Sequence, residues 1–299
     1  MRLTIVILTR DEQCHIARAI GSVTPLGGRV LVVDSNSTDL TVEIAEKLKA
    51  EIMKNPFVTQ AQQFNWALDQ LPSDTEWILR LDADEIVTPK LAREIREKLC
   101  TLGSEIDGVY VPRRMNFMGS PVRHGGLFPI NVLRLFRYGR GRCEQRWMDE
   151  HILVDGQTAQ FQGEIVDDNL KPLTWWTEKH NSYASREVVD LLNLEYRFMA
   201  HETVASLHGG QQAGVKRWIK EHLYARLPGG ARAFAYFLYR FVLRLGFLDG
   251  REGVAFHVLQ GFWYRYLVDL KLHEVKQHMR QHNVDAVNAI YHVLGIKVR

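Results

Sequence analysis

The sequence predicts an α/β protein (a mostly parallel, doubly wound sheet followed by a helical region). Through the first hundred residues, apolar runs typical of buried strands alternate with segments of helical periodicity. Such alternation favours βαβ units, in which helices cover both faces of a parallel sheet. From about Trp175 onwards, the periodicity is mostly helical. We therefore expect two domains, residues 1–170 and 171–299, the first divided into residues 1–100 and 101–170.

Each predicted strand of the first half is followed by a predicted helix. The predicted strands are 3–8, 29–34, 50–55 and 75–82. The predicted helices are 11–23, 37–50, 59–71 and 88–99. Thr88 followed by Pro89 is typical of an N-cap and a first helical residue, and Ser37 or Thr38 is expected to cap the second helix.

The second half and the C-terminal region have different patterns. Shorter apolar segments, punctuated by Gly and Pro, predict mixed strands that extend the sheet at 108–114, 131–139 and 151–157. Four segments of the C-terminal region have helical patterns, with a break at Pro228. They are residues 186–200, 215–227, 231–248 and 252–281.

The composition is globular, with 46% hydrophobic and 24% charged residues, and the net charge of +3 gives no reason to expect a nucleic acid partner. The cysteines Cys14, Cys100 and Cys143 have no metal-site spacing, so we expect buried thiols in a reducing compartment. The N-terminus is typical of a strand rather than a signal peptide, and no apolar run is long enough to predict a spanning helix.

Two aspartates, Asp82 and Asp84, follow the apolar run of the fourth predicted strand. The ligand crevice of a parallel sheet lies at the carboxyl ends of its strands. Residues two apart at a strand end point to the same side, so both carboxylates can face one ion. Such oxygen ligands suit Mg²⁺ or Mn²⁺, which also bridge phosphates. The alternative is a solvated loop, because so short a motif also arises by chance.

Thr9 and Asp34 end the first and second predicted strands and therefore belong to the same edge of the sheet. A carboxylate followed by small polar residues and a helix start suits recognition of a base or a ribose. The alternative is a capping role, with Asp39 favouring the positive end of the helix dipole, and the two interpretations are compatible.

Asp149 and Glu150 stand between aromatic and apolar neighbours in "WMDEHI". A carboxylate near a crevice can act as a general base, particularly where burial raises its pKa. The alternative is a salt-bridged loop, because Arg140, Arg142 and Arg146 are close in sequence.

The C-terminal region combines an apolar face with arginines and bulky aromatic residues. Phe234, Phe237, Leu238, Phe241, Leu245 and Leu248 form the predicted apolar face of one helix. Arg232, Arg240 and Arg244 interrupt what would otherwise approach a membrane span. A basic amphipathic helix of this kind suits the surface of an anionic bilayer, whereas an ordinary core helix is the alternative.

The motifs together resemble family 2 glycosyltransferases, which have the GT-A fold. "TIVILTRDE", "VVDSNSTDLT", "QQFN" and "WILRLDADE" occur in the order and spacing of that family's nucleotide-sugar-binding half. The stretch from Asn116 to "MDEHI" resembles the subgroup of lipopolysaccharide-core β-glucosyltransferases and exopolysaccharide enzymes. The helical region is similar to the tails of bacterial surface-polysaccharide transferases.

The resemblance implies an inverting hexosyltransferase that uses a nucleotide-diphosphate sugar, such as a UDP-sugar, and a lipid-linked or lipopolysaccharide acceptor. It also implies a cytoplasmic location, peripheral on the inner face of the bacterial cytoplasmic membrane. The residues implied to contact the donor are Thr9, Glu12, Asp34, Asn65 and Arg134. Arg137 is a second candidate for neutralising phosphate, although strand alternation would place only one of the two arginines toward the site.

The resemblance assigns Asp82 and Asp84 to Mg²⁺ or Mn²⁺ on the diphosphate, and it assigns the catalytic base to Glu150, with Asp149 as the alternate. Two alternatives remain. A sugar nucleotidyltransferase would normally have a Gly-rich, basic first loop, which "TRDEQCH" lacks. A non-catalytic scaffold at the membrane surface would show no donor hydrolysis.

Overall fold

The computed structural model describes residues 2–144, 151–199 and 230–298. The chain divides into two compact units, Met1–Lys171 and Pro172–Arg299. The first unit is built on a ten-stranded sheet, whereas the described part of the second is helical. The α/β fold class predicted from the alternating periodicities is confirmed. The predicted helix at 215–227 lies outside the described residues.

The first half of the sheet unit consists of four parallel strands with intervening helices. The strands are β1 (Leu3–Thr9), β2 (Arg29–Asp34), β3 (Glu51–Lys54) and β4 (Trp77–Asp82). The helices are α1 (Ile16–Val23), α2 (Thr41–Lys47), α3 (Gln60–Asp69) and, after β4, α4 (Pro89–Lys98). The four strands lie in the order β3-β2-β1-β4, so their carboxyl ends meet at one edge.

The remaining strands extend this sheet in mixed orientation, as predicted for 108–114 and 131–139. They are β5 (Glu85–Val87), β6 (Ile106–Phe117), β7 (Ser120–Val122), β8 (Ile130–Arg137), β11 (Gln157–Gln160) and β12 (Ile165–Asp168). A separate antiparallel pair is formed by β9 (Gly141–Cys143) and β10 (Ile152–Val154). The prediction for 151–157 is wrong, because residues 152–154 form a strand outside this sheet. The sheet continues from β4 in the order β8-β6-β12-β5, and β12 runs antiparallel to β5.

Helices cover both faces of the parallel strands because successive strand residues point to opposite sides. Ile5 and Ile7 of β1 pack in one core with Ile16 of α1, while the intervening Val6 packs in a second core with Phe64 of α3. All five side chains are fully buried. Burying each of them contributes about 1.5–3 kcal/mol, so the continuous apolar runs specify a strand that is covered twice.

The helix starts follow local hydrogen-bonding chemistry, with one correction. Thr88 caps α4 by accepting a hydrogen bond from the Leu91 amide, and Pro89 is the first helical residue, as predicted. However, α2 begins at Thr41, later than a cap at Ser37 or Thr38 would place it. The reason is Asp39, whose carboxylate accepts a 3.0 Å hydrogen bond from the Thr41 amide.

Gly163 lies between β11 and β12, where a side chain has no room. An added Cβ would lie 2.3 Å from Leu91 Cα and 2.4 Å from Leu91 N of α4. We expect Gly163→Ala to lower the free energy of unfolding in urea by about 2–3 kcal/mol, because backbone has to move. Gly21→Ala is the matched control: it has open space in α1 and should stabilise by about 0.5–1 kcal/mol. Equal effects of the two variants would contradict the packing argument.

The described part of the second unit is a helical assembly with its own core. Its α-helices are α5 (Leu173–Tyr196), α6 (Ala231–Leu238), α7 (Gly250–Phe256), α8 (Tyr264–His282) and α9 (Ala286–Leu294). Two π-helical segments, Tyr239–Leu243 and His257–Trp263, follow α6 and α7. Val188, Leu192, Val268, Val275 and Ile290 belong to the core that joins α5, α8 and α9.

The structure corrects two expectations about side-chain exposure. Arg240 does not interrupt an exposed apolar face, because it is buried and bonds His257 and the Gln260 side chain. Of the three cysteines only Cys143 is buried. Cys14 is exposed in the turn before α1, and Cys100 is exposed in a short 3₁₀-helix after α4. No helix within the described ranges has the length and apolar character needed to cross a bilayer.

Candidate active site

The carboxyl ends of β1, β2 and β4 form one polar edge. In the strand register Thr9 lies opposite Asp34, and Leu8 lies opposite Asp82. The turn that contains Ala83 and Asp84 then connects β4 to β5. Parallel pairing therefore brings together residues that are separated by up to 75 positions in sequence, in the region where ligands of α/β sheets bind.

Asp34 is held rigidly at the end of β2. Its Oδ1 accepts hydrogen bonds from Thr9 Oγ1 at 3.2 Å and from Ser37 Oγ at 2.5 Å, while Oδ2 accepts one from the Ser37 amide at 2.9 Å. The residue is only 1% exposed. In this conformation Thr9 and Asp34 therefore shape the loop that follows β2, and Asp34 presents little surface to a ligand.

Glu12 lies in the loop between β1 and α1, with both carboxylate oxygens engaged. Its Oε2 is 2.5 Å from His15 Nδ1, and its Oε1 accepts a hydrogen bond from Lys171 Nζ at 2.8 Å. Burial opposes ionisation, but the hydrogen bonds from His15 and Lys171 outweigh it and lower the pKa of Glu12. The carboxylate is therefore charged and fixed in place at neutral pH.

Asp82 is paired with a buried arginine. Arg134 of β8 donates from one Nη to Asp82 Oδ2 at 2.9 Å and, from the same nitrogen, to Glu85. Arg134 is 5% exposed, so it contacts Asp82 and Glu85 from the interior rather than from the surface. Burial acts against the charged form of Asp82, but Arg134 and Arg80 outweigh it and hold the pKa of Asp82 far below its usual range.

Replacing Arg134 is expected to destabilise the fold strongly. Arg134→Met would leave the buried carboxylate of Glu85 without its cation, which typically costs about 3–5 kcal/mol. Urea unfolding should show this loss, and adding Glu85→Gln should recover part of it. Arg137→Met is the matched control, because Arg137 points to the other face and bonds the Ile106 carbonyl at 2.9 Å. Equal losses for the two arginine variants would contradict the role of charge pairing.

Asp84 is held by the last residue of β12 and by the residue after it. Asn169 Nδ2 donates to Asp84 Oδ2 at 2.9 Å, and the Asp168 amide donates to the Asp84 carbonyl at 3.0 Å. Asp167 is mostly buried beside this turn. Loss of hydration, together with the negative charge of Asp84, raises the pKa of Asp167 to about 8. Asp84 is therefore close enough to influence the ionisation of Asp167.

Asn65 contacts the β9–β10 pair. Its Oδ1 accepts a 2.9 Å hydrogen bond from the Cys143 amide, and its Nδ2 donates to the Cys143 carbonyl at 2.8 Å. Both ends of the buried amide are therefore used to hold the end of β9 against α3. Asp149 and Glu150, the predicted bases, lie outside the described residues, in the connection between β9 and β10. Asn65 thus fixes the strand from which that connection starts.

Asp82 and Asp84, which we call the doublet, suit a divalent cation that is shared with a phosphate ligand. Among the described residues, no group of three or more His, Cys, Asp or Glu side chains forms a complete cage for a metal ion. Mg²⁺ is usually bound by one or two carboxylates together with waters and substrate phosphates, so a pair is a sufficient protein contribution. Burial first, and then the negative charge of Asp84, raises the pKa of Asp167, while Arg113 acts in the opposite direction. Asp82 and Asp84 therefore fit such an ion.

Sequence reasoning missed several residues of this site. Glu85, Asp167 and Asn169 contact or face the doublet, and only Glu85 is adjacent to it in sequence. Asp167 and Asn169 reach it because β12 pairs with β5. The clustered polar letters of "VDDNLK" were the only local signal.

Comparison with known proteins identifies the family to which the chain belongs. The family described as Glycosyl transferase family 2 matches residues 4–175, which is more than half of the chain. The chain therefore belongs to glycosyl transferase family 2. This membership also confirms the GT-A fold class that the sequence motifs implied.

Individual relatives match parts of the chain. An uncharacterised glycosyltransferase of Rickettsia conorii is 40% identical over 94 residues, covering 31% of this chain and 33% of the relative. The chain thus spans about a third of that relative's length. The lipopolysaccharide core biosynthesis glycosyltransferase LpsC of Rhizobium meliloti is 31% identical over 197 residues, covering 61% of this chain and 69% of LpsC.

Among solved structures, a similar chain is glucosyl-3-phosphoglycerate synthase from Mycobacterium tuberculosis, crystallised with Mn²⁺, UDP and glucosyl-3-phosphoglycerate. It is 23% identical, with a TM-score of 0.33, over 38% of this chain and 44% of that one.

Proposed function

We propose that this glycosyltransferase moves a hexose, with inversion, from a UDP-sugar to a lipid-linked or lipopolysaccharide acceptor, and that the reaction depends on Mg²⁺ or Mn²⁺. The observation that carries the donor assignment is the acidic pair Asp82 and Asp84 at the carboxyl end of β4, on the same edge as Thr9 and Asp34. That edge offers carboxylates for a cation on a diphosphate and a shaped loop for a nucleoside.

The residues of the edge have separate tasks in this proposal. The loops after β1 and β2, fixed through Glu12 and Asp34, bind the nucleoside. Asp82 and Asp84 hold the cation, which supplies compensation for the negative charge that grows on the departing diphosphate. Arg134, which is buried and donates to Asp82, keeps Asp82 ionised and in place.

The acceptor hydroxyl loses its proton to Glu150, or alternatively to Asp149, and attacks the anomeric carbon from the face opposite the diphosphate. One displacement of this kind inverts the configuration and requires no covalent nucleophile on the protein. Asn65 supports the step indirectly, because it anchors Cys143, the last residue before the connection that carries Asp149 and Glu150.

The acceptor class is proposed from the relatives. LpsC acts in lipopolysaccharide core biosynthesis, and the ExoA protein of Rhizobium meliloti, 36% identical over 88 residues, acts in succinoglycan biosynthesis. Both names describe bacterial surface polysaccharides. A thermal-shift panel of nucleotide-sugars, with and without Mn²⁺, followed by product analysis with the stabilising donor, tests the assignment. Stabilisation by no UDP-sugar under either condition would refute the donor class.

We also propose that the second unit attaches to the inner face of the cytoplasmic membrane. From Leu238 to Leu248 the chain exposes a series of large apolar side chains, between 41% and 73% exposed. They are Leu238, Tyr239, Val242, Leu243, Leu245, Phe247 and Leu248. The neighbouring Arg244 and Arg251 are exposed as well. Apolar side chains next to cations suit the interface of a bilayer that contains anionic lipid.

We expect the purified protein to sediment with anionic liposomes, and the bound fraction to fall as salt rises. Leu243→Glu combined with Phe247→Glu should reduce the bound fraction at least about tenfold, since charge replaces inserted apolar area. Leu48→Glu, on an exposed leucine of the first unit, is the matched control and should bind normally. Protein that remains in the supernatant at low salt would refute membrane attachment.

A further inference from the structure

The four residues from Asp168 to Lys171, which we call the 168–171 connector, touch both ends of the proposed donor site. Each uses a different polar group, and their partners lie in three separate parts of the first unit. No local sequence pattern requires this convergence. These contacts are therefore better explained by a role in the donor site than by the folding of the connector itself.

Asn169 fixes the carboxylate of Asp84. The Lys171 amide, which can only donate, lies 2.9 Å from the Asn169 side chain, so the atom facing it is the oxygen Oδ1. Nδ2 therefore points the other way and donates to Asp84 Oδ2 at 2.9 Å. Because the amide cannot rotate without losing the Lys171 bond, Asp84 is held in one rotation about its Cβ–Cγ bond.

The other end of the connector fixes Glu12. The Leu170 amide donates to Nε2 of the buried His15 at 2.7 Å, so the proton of the neutral ring is on Nδ1, where it is shared with Glu12 Oε2. Lys171 Nζ donates to the other oxygen, Oε1, at 2.8 Å. Glu12 thus depends on two consecutive connector residues, one acting through the imidazole and one directly.

The connector is itself anchored to α1. Arg18 donates to Asp168 Oδ2 at 2.6 Å and also to the Asp168 carbonyl. The Asp168 amide completes the attachment by donating to the Asp84 carbonyl at 3.0 Å. One short segment therefore joins three parts of the first unit: helix α1, the turn that contains Asp84, and the loop after β1.

We propose that the 168–171 connector positions the two ends of the donor site separately: Asn169 orients Asp84 for the cation, and Lys171 orients Glu12 for the nucleoside. Neither residue is required to touch the donor, so both are positioning residues. This inference rests on the proposed function of the edge, and it adds a division of labour that the doublet alone does not specify.

Two variants test the division. Partners that orient a metal ligand typically contribute 10–100-fold to metal affinity. Asn169→Ala should therefore raise the Kd of Mn²⁺ about tenfold or more, as measured by electron paramagnetic resonance at saturating UDP. Its Kd for UDP in EDTA should remain within about twofold of wild type. Lys171→Met should give the reverse result, with weaker UDP binding in EDTA and an unchanged Kd for Mn²⁺ at saturating UDP.

Asn116→Ala serves as the control, because Asn116 is an asparagine of neighbouring β6 whose amide bonds Arg114 rather than the doublet. It should match wild type in both titrations. If both connector variants weaken the two affinities in equal proportion, or if Asn169→Ala binds Mn²⁺ as wild type does, the division of labour is refuted. A wild-type protein that binds UDP without any response to Mn²⁺ would instead refute the proposed metal site, and this inference with it.

Discussion

Asp84→Ala is expected to lower the rate of sugar transfer by about 10³-fold or more, while the protein stays folded. The variant removes one of two carboxylates proposed to hold the cation, and such charge compensation contributes several kcal/mol at the transition state. The fold should survive because the backbone carbonyl of Asp84, rather than its side chain, accepts the hydrogen bond from the Asp168 amide. The measurements are transfer with a radiolabelled UDP-sugar, and the melting temperature.

Two further variants separate charge from shape. Asp84→Asn keeps an oxygen that can accept from Asn169 and should be nearly as inactive as Asp84→Ala, because it lacks the negative charge. Asp74→Ala removes an exposed aspartate from the loop before β4 and should leave the transfer rate unchanged. Full activity of purified Asp84→Ala in EDTA would contradict the metal assignment decisively.

The arrangement of the first half of the chain could be predicted because the rules that govern it are local. Continuous apolar runs such as 3–8 specify strands covered on both faces, and parallel pairing then places every carboxyl end at one edge. Thr9, Asp34 and Asp82 were grouped by that rule alone, and the register brings them together. The helix start at Thr88 followed from capping chemistry for the same reason.

The partners of the doublet could not be predicted, because they depend on pairings between distant segments. Arg134 comes from β8, antiparallel to β4, and Asn169 follows β12, antiparallel to β5. Strand alternation indicated that only one of Arg134 and Arg137 could face the site, but it did not reveal that Arg134 is buried against Glu85. Such pairings are set by the three-dimensional register, which the one-dimensional pattern does not contain.

Glu150→Gln is expected to lower turnover by about 10²–10⁴-fold, the usual contribution of a positioned general base, with donor affinity retained. A glutamine has the same shape but cannot accept the proton of the acceptor hydroxyl. Calorimetry with UDP and Mn²⁺ measures binding, and transfer with saturating acceptor measures turnover. Since the base acts only on the acceptor, the variant should lose turnover without losing donor binding.

Asp149→Asn is the matched control, because it makes the same chemical change one position earlier. A single displacement removes one proton from the acceptor, so only one of the two carboxylates is expected to act as the base. The two described residues that flank residues 145–150 are hydrogen-bonded to each other, because the Glu144 amide donates to the His151 carbonyl at 2.9 Å. With Glu150 as the base, Asp149→Asn should keep most of its turnover. Normal turnover in Glu150→Gln with loss in Asp149→Asn would transfer the role to Asp149, and normal turnover in both would remove the base from this segment.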